Sequence, residues 1–381
     1  LLNGRGSVLA ALHRNEEALA CFQRTLTIDA NDADAHHNMG NILARMNQID
    51  EAMPHYQEAL RLRPGHAETL MQQGKWLARY KRHIEALACY DQLLSIQPHN
   101  YKALSHRGEA LTALGRHNEG IAAYRAALAI HSDHAGAHIG LADALRDLGH
   151  HKEAIAAFEK AVQIYPDKPE LLTGLLFNLN YVAGMTPMEI LSRHRQYGEL
   201  VENSVRAHWQ LHTNKVDPVK PLRVGFVSGD LHRHPVGYFM ESTFQELARG
   251  PLELYAYANQ PMDDDLTEHI RPCFKAWHDI WEVEDEAVAH LIRTDDIDIL
   301  VDLSGHTAHH RLPVFARKPA PVQVTYLGYP NTTGLTSIDY RITDNYMDPV
   351  GQTESINSET LLRMTGSYFC YCPLQDSPPV N

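Results

Sequence analysis

Glu17-Ala18, Glu51-Ala52, Glu85-Ala86, Glu119-Gly120 and Glu153-Ala154 stand 34 residues apart without a slip in register. Five residues after each Glu comes an aromatic: Phe22, Tyr56, Tyr90, Tyr124 and Phe158. Gly6, Gly40, Gly74 and Gly108 keep the same period, and Pro64, Pro98 and Pro166 close three of the units. A strict repeat of this length cannot bury its apolar face one unit at a time, so the units must stack on one another. Such an array is a binding surface, and any chemistry has to lie downstream of it.

The period, the small residues, the aromatic and the closing proline together form the tetratricopeptide pattern. In the second unit the spacing predicts helix A over about Asp34 to Arg45 and helix B over Ile49 to Leu62. Gly40, Ala44 and Ala52 let that pair approach closely, while Tyr56 and Leu60 fill the seam to the next unit. An α-solenoid with a concave inner face is expected over residues 1–168.

The chain has 381 residues, enough for such an array plus a further domain. Its formal charge of −13 argues against a general nucleic-acid binder, which carries a basic stripe. Five cysteines in this length make no disulfide framework. Cys370 and Cys372 are close enough to suggest a metal or redox pair, but no second pair stands near them, and two ordinary thiols are the simpler reading. No stretch is long and apolar enough to span a membrane, and no leader pattern opens the sequence, so a reducing, cytoplasmic setting is expected. Because the sequence begins at Leu1 inside a repeat and stops at Asn381 after two prolines, it reads as a piece cut at both ends.

From Pro169 to about Leu211 the period is lost while helical spacing continues. Leu171, Leu172, Leu175 and Leu176 form one apolar stripe; Ile190, Leu191, His194 and Tyr197 belong to a later one. Thr186-Pro187-x-Glu189 has the residues of a capped helix start. Asn214 to Pro221 reads as a linker, so residues 169–220 form a helical transition and 221–381 a separate lobe. In that lobe strand and helix alternate. Strands are predicted at Leu222–Ser228, Leu252–Ala258, Ala276–Trp281, Ile297–Leu303, Val322–Leu327 and Tyr340–Thr343. Helices are predicted at Gly237–Leu247, Leu266–Phe274 and Asp285–Arg293, with a further helical stretch before Val322. This is the pattern of a parallel α/β sheet, whose ligands sit outside the carboxyl ends of the strands.

Three loops at such ends carry glycine together with hydrogen-bonding side chains. They are Ser228 to Gly237, Ser304-Gly305-His306-Thr307, and Gly328-Tyr329-Pro330-Asn331-Thr332-Thr333-Gly334. That mix suits a polyhydroxylated or phosphate-bearing ligand. His234, next to Pro235, is the leading candidate for proton exchange or phosphate binding; Asp230 is the fallback base or a loop cap. Of 25 histidines most are expected on the repeat surface, with His234 and His306 the two on ligand loops. His306, His309 and His310 could share a helical face as metal ligands, but nothing completes a set. A full G-x-G-x-x-G, a G-x-S-x-G and a phosphate-binding P-loop are all missing, which disfavours dinucleotide, hydrolase and NTPase readings.

The sequence resembles the tetratricopeptide-containing protein O-GlcNAc transferases and the related SPINDLY-type O-fucosyltransferases, of the glycosyltransferase family 41 type. The resemblance is carried by the run Leu222 to Ser228 with Asp230, by His234-Pro235, and by Asp298 to Thr307. Arg317-Lys318-Pro319-Ala320-Pro321-Val322-Gln323 through Gly334 is the longest match, followed by Asp339 to Asp344. Phe177 to Tyr181 and His194-Arg195-x-Tyr197 look like the family's helical transition. The resemblance implies a two-lobed GT-B glycosyltransferase, with 221–381 as its N-terminal catalytic lobe and a second lobe beyond it. It implies transfer of a sugar from a nucleotide donor, UDP-GlcNAc or GDP-fucose, to Ser or Thr of a protein, without a metal or other cofactor. It places His234 in the active site as the catalytic residue. Donor or acceptor binding then falls to Asp230, Pro235, Gly305, His306, Thr307, Tyr329, Pro330, Thr332, Thr333 and Gly334. Protein or peptide acceptors would bind the repeats, through which a homodimer is also conceivable. The piece alone is expected to be inactive.

The column two residues before the repeat glycine reads Gly4, Asn38, Gln72, His106, Gly140, so the family's asparagine ladder is not kept. The G-H-T and G-Y-P-N-T-T-G wording is nearer the bacterial and SPINDLY-like branch, which leaves the sugar open between GlcNAc and fucose. Two other classes remain: a non-catalytic scaffold, and a transferase acting on a small glycan.

Overall fold

The structure, a computed structural model, describes residues 2–214, 217 and 219–371. It divides into two compact units, Leu1–Tyr165 and Pro166–Asn381.

The first unit is five helix pairs: α1 (Leu2–Ala11) with α2 (Asn15–Ile28), α3 (Ala33–Arg45) with α4 (Ile49–Leu62), α5 (Ala67–Arg79) with α6 (His83–Ile96), α7 (Tyr101–Ala113) with α8 (His117–Ile130), and α9 (Ala135–Asp147) with α10 (His151–Ile164). The periodic residues explain the pairing. A Cβ added to Gly40 would lie 2.8 Å from the Tyr56 ring, and one on Gly74 would lie 2.6 Å from Tyr90. Gly6 meets Phe22 and Gly108 meets Tyr124 in the same way. Each repeat glycine is thus the seat of the aromatic ring 16 positions later, and Tyr56 and Tyr90 are fully buried there. Truncating such a ring costs about 3–5 kcal/mol. Helix α3 starts one residue earlier than its apolar spacing predicts because the Asp32 side chain accepts from the Asp34 and Ala35 N–H groups.

The second unit opens with α11 (Pro169–Leu179) and α12 (Pro187–Asn203), the latter begun by the predicted capping box of Thr186 and Glu189. A single 3-10 turn at Arg206–His208 leads towards the sheet. Its strands are β1 (Leu222–Ser228), β2 (Leu252–Ala258), β3 (Ala276–Asp279), β4 (Ile299–Asp302), β5 (Val322–Thr325), β6 (Tyr340–Asp344) and β7 (Thr360–Met364). All neighbours are parallel, in the order β3-β2-β1-β4-β5-β6-β7. Between β1 and β2 lies α13 (Pro235–Arg249); α14 (Asp265–Ile270), α15 (Asp285–Thr294) and the short α16 (Leu312–Phe315) make later crossovers. Val224, Phe226, Leu254 and Val301 of the sheet pack with Met240 and Phe244 of α13 in one apolar core.

Several predicted bounds shift. Helix α13 begins at Pro235 rather than Gly237, since proline suits a first helical position. Helix α14 gives way to a 3-10 turn at Arg271–Cys273, where Pro272 interrupts the ladder. Strand β7 has no counterpart in the sequence reading. Among the described residues no helix is long and apolar enough to cross a membrane.

Candidate active site at the strand-order switch

In the observed order the chain winds outward from β1 in one direction and from β4 in the other. The crevice outside the carboxyl ends of that pair is where doubly wound sheets bind ligands. The two loops that leave these ends touch. The Gly229 N–H donates to the Ser304 Oγ at 3.4 Å, and the Asn259 amide after β2 donates to the His309 carbonyl at 2.8 Å. A Cβ on Gly229 would lie 2.7 Å from the His309 Cβ, so only glycine lets the loops meet this closely.

His234 is the N-cap of α13, with Pro235 exposed at the first helical position. Its Nδ1 accepts from the Val236 N–H at 3.3 Å and stands 3.7 Å from the Asp230 Oδ1. An Nδ1 that accepts assigns the proton of the neutral ring to Nε2, which has no partner among the described residues. The side chain is 40% exposed, open enough to meet a ligand. Asp230 is largely buried beneath it, and its N–H donates to the Ser228 Oγ. Burial pushes the Asp230 carboxyl up, against the pull of His234, His232 and His309. A half-open imidazole over a shielded carboxyl, at the positive end of a 15-residue helix, can bind an anion or move a proton.

The Ser304-Gly305 turn is organised by Asp302, the last residue of β4. Its carboxylate accepts from the Ser304 and Gly305 N–H groups at 3.1 and 3.0 Å and from the Thr325 hydroxyl at 2.8 Å. Burial pushes this carboxyl up to about 6 despite those bonds. Gly305 has φ +56, and a Cβ there would lie 2.2 Å from that of Tyr329.

The Gly328 to Gly334 loop is fixed from both sides. The Tyr329 hydroxyl meets the His194 Nε2 at 2.9 Å, accepts from the Asn180 amide at 2.9 Å and donates to the Leu176 carbonyl at 3.1 Å. Thr332 donates to the Glu359 carboxylate at 2.6 Å, the Thr333 N–H does so at 2.7 Å, and the Thr333 hydroxyl joins them. Arg341 donates to the Pro330 carbonyl at 2.8 Å and pairs with buried Asp348 at 2.9 Å. Gly334, at φ +82, approaches α12 so closely that a Cβ would lie 2.0 Å from the His194 carbonyl oxygen.

The eleven residues singled out from sequence therefore fall into two groups. Asp230, His234, Pro235, Thr307 and Pro330 reach the surface. Gly305, His306, Tyr329, Thr332, Thr333 and Gly334 are buried. The polar side chains of that second group are bonded to interior partners. His306 donates from Nε2 to the Thr333 carbonyl, 2.8 Å away, and burial among His194 and His310 drives its pKa far down. Residues 306–310 form turns, not a helix: His309 is exposed with φ +57, while His310 is half-buried against Thr173, so no shared helical face for a metal exists. Cys370 is an exposed free thiol; Cys372 lies outside the described residues. Asp302, Glu359 and Glu202, which accepts from Thr336 at 2.6 Å and from the Ser337 N–H at 2.7 Å, are the carboxylates that sequence reasoning left without a role.

Residues 179–372 match the glycosyl transferase family 41 model, and tetratricopeptide repeat models match residues 1–65 and, in three overlapping stretches, 37–169. A tomato (Solanum lycopersicum) protein described as a probable UDP-N-acetylglucosamine–peptide N-acetylglucosaminyltransferase SPINDLY is 36% identical over 209 residues, 54% of this chain and 22% of that protein. The corresponding SEC protein of Arabidopsis thaliana is 38% identical over 151 residues, 39% of this chain and 15% of that one. The chain thus spans only 15% to 22% of the length of these curated relatives. The solved structure of a mutant Thermobaculum terrenum O-GlcNAc transferase superposes with a TM-score of 0.71 at 32% identity, over 81% of this chain and 59% of that one.

Proposed function

Because the chain belongs to glycosyl transferase family 41, we propose that it serves a protein O-glycosyltransferase. The enzyme moves a sugar from a nucleotide donor to Ser or Thr of a protein, GlcNAc being the first reading and fucose the second. The observation that carries this reading is the half-open His234, capping α13 above Asp230 at the strand-order switch. There the Nε2 of His234 orients the donor phosphate or the acceptor hydroxyl. Backbone N–H groups at the start of α13 favour the negative charge that develops on the leaving diphosphate. Direct displacement with inversion needs no covalent intermediate and no metal. Asp302, Glu359 and Glu202 position the rim loops and stay out of the chemistry. The repeats supply the acceptor surface, a use that suits a stacked array, and the reaction takes place in the cytoplasm.

The test offers UDP-GlcNAc and GDP-fucose side by side to the full-length gene product with a pool of cytosolic proteins. Transfer from one donor establishes the class and the sugar together. A folded protein that transfers from neither returns the scaffold reading, and transfer that survives deletion of residues 1–168 returns the small-glycan reading.

A further inference from the structure

The Arg317-Lys318 pair opens the most distinctive run of the sequence, and the candidate active site leaves it unused. The two side chains part company. Lys318, at φ +49, turns inward and donates to the Asp339 carboxylate at 2.6 Å and to the Ser337 carbonyl at 2.8 Å. Arg317 instead lines a groove of about 590 Å³, a volume within the range of small-molecule sites. Arg293 of α15 lines it too, and its guanidinium donates to the carbonyls of Lys318 at 2.6 Å and Arg317 at 3.4 Å, which ties it to the Arg317-Lys318 backbone. The groove lies towards the amino ends of β4 and β5, away from the carboxyl ends that carry His234.

Neither arginine forms an ion pair among the described residues. Arg317 spends one N–H on the Pro313 carbonyl at 2.8 Å, and Arg293 is held below its ordinary pKa by burial alone, with no carboxylate to offset it. His208 and His290 add to the lining, where Glu286 is the single acid, in a chain whose formal charge is −13. The floor includes Trp209, fixed by its indole N–H to the Ala316 carbonyl at 2.8 Å. Two guanidinium groups without counter-ions beside a fixed indole make a receptor for a dianion with a flat or apolar body.

We propose that this groove is a second ligand site, taking a small phosphate ester whose phosphate meets Arg317 and Arg293 and whose body rests on Trp209. The phosphate accepts from the unused guanidinium N–H groups, and the groove's volume suits a small molecule.

Calorimetric titration of the full chain with phenyl phosphate tests this, with inorganic phosphate and phenol as the two halves of the probe. The expected result is one saturable site for phenyl phosphate that is tighter than for either half. Arg317→Gln should weaken it about tenfold or more, the range for a charge-assisted hydrogen bond. His290→Glu, at an exposed lining position, should weaken it as well while leaving the melting temperature unchanged. Three results would each overturn the proposal: no saturable binding, undiminished binding in both variants, or phenyl phosphate binding no tighter than inorganic phosphate.

Discussion

Each unit is held together internally by its own kind of contact. In the repeats a fully buried ring sits on a glycine 16 positions earlier, and polar side chains mostly stay at the surface, as in the exposed Arg14–Glu17 and Arg116–Glu119 pairs. In the α/β unit, buried polar groups clamp segments far apart in sequence. Tyr329 reaches the Leu176 carbonyl across 153 positions, and Glu202 reaches Ser337 across 135. The first arrangement repeats and each part is replaceable by analogy with its neighbour. The second is singular, and each lost partner strands a buried donor or acceptor at a cost of roughly 1–3 kcal/mol, more for a charge. A binding array tolerates the first kind of construction, whereas a reaction rim needs the rigidity of the second.

The sharpest way to break this contrast is through glycine. Gly334→Val would force a side chain into the His194 carbonyl from a left-handed backbone, and we expect a loss above about 4 kcal/mol in denaturant unfolding of the second unit. Arg341→Met should cost about 3–5 kcal/mol, because Asp348 is then buried without its cation. Adding Asp348→Leu should recover much of that loss, and additive costs would contradict the account.

Acidification separates the units next. Burial holds His194 and His310 down to about 4 and His306 well below its ordinary value, while an unfolded histidine titrates near 6.5. Between those values the unfolded chain binds more protons, so this stability is lost as pH falls from about 6.5 towards 4. Asp302, raised to about 6, acts in the opposite sense, since its folded form keeps a proton that the unfolded form releases. Asp230, also raised by burial, acts with Asp302, and three rings against two carboxyls still leave a net loss on acidification. Hydrogen exchange at pH 7 and pH 5, corrected for intrinsic rates, should show protection falling more in residues 169–344 than in the repeats. The smallest effects belong to the repeats themselves. Gly40→Ala, pressing on the Tyr56 ring, should cost about 1–3 kcal/mol. Gly65→Ala, in open space, should be neutral or slightly stabilising by melting.

What could be read in the sequence follows the same division. The bounds of α4 and the cap of α12 are legible because their determinants lie within a few residues of one another. The apolar runs of β1 and β2 likewise announce buried central strands. Strand β7 is illegible, since Thr360–Met364 lies at the sheet edge, half-buried to exposed, with no apolar run. Loop position alone does not tell exposed from buried polar residues. His234 and Thr333 both follow strands in glycine-containing loops, and nothing local says that Thr333 is matched by Glu359, 26 positions away. The carboxylates that fix the rim are hidden for the same reason, because their partners are assembled only by the fold.

The measurement that tests the central claim most directly compares transfer by the full-length gene product with that of its His234→Asn and His234→Ala variants. Asparagine keeps an N-cap side chain for α13 but removes the imidazole. The account predicts that both variants lose about 10²–10⁴-fold in kcat/KM, with His234→Asn melting like the wild type. An asparagine variant that transfers at the wild-type rate would show that His234 only caps its helix, and would move the chemistry away from the strand-order switch.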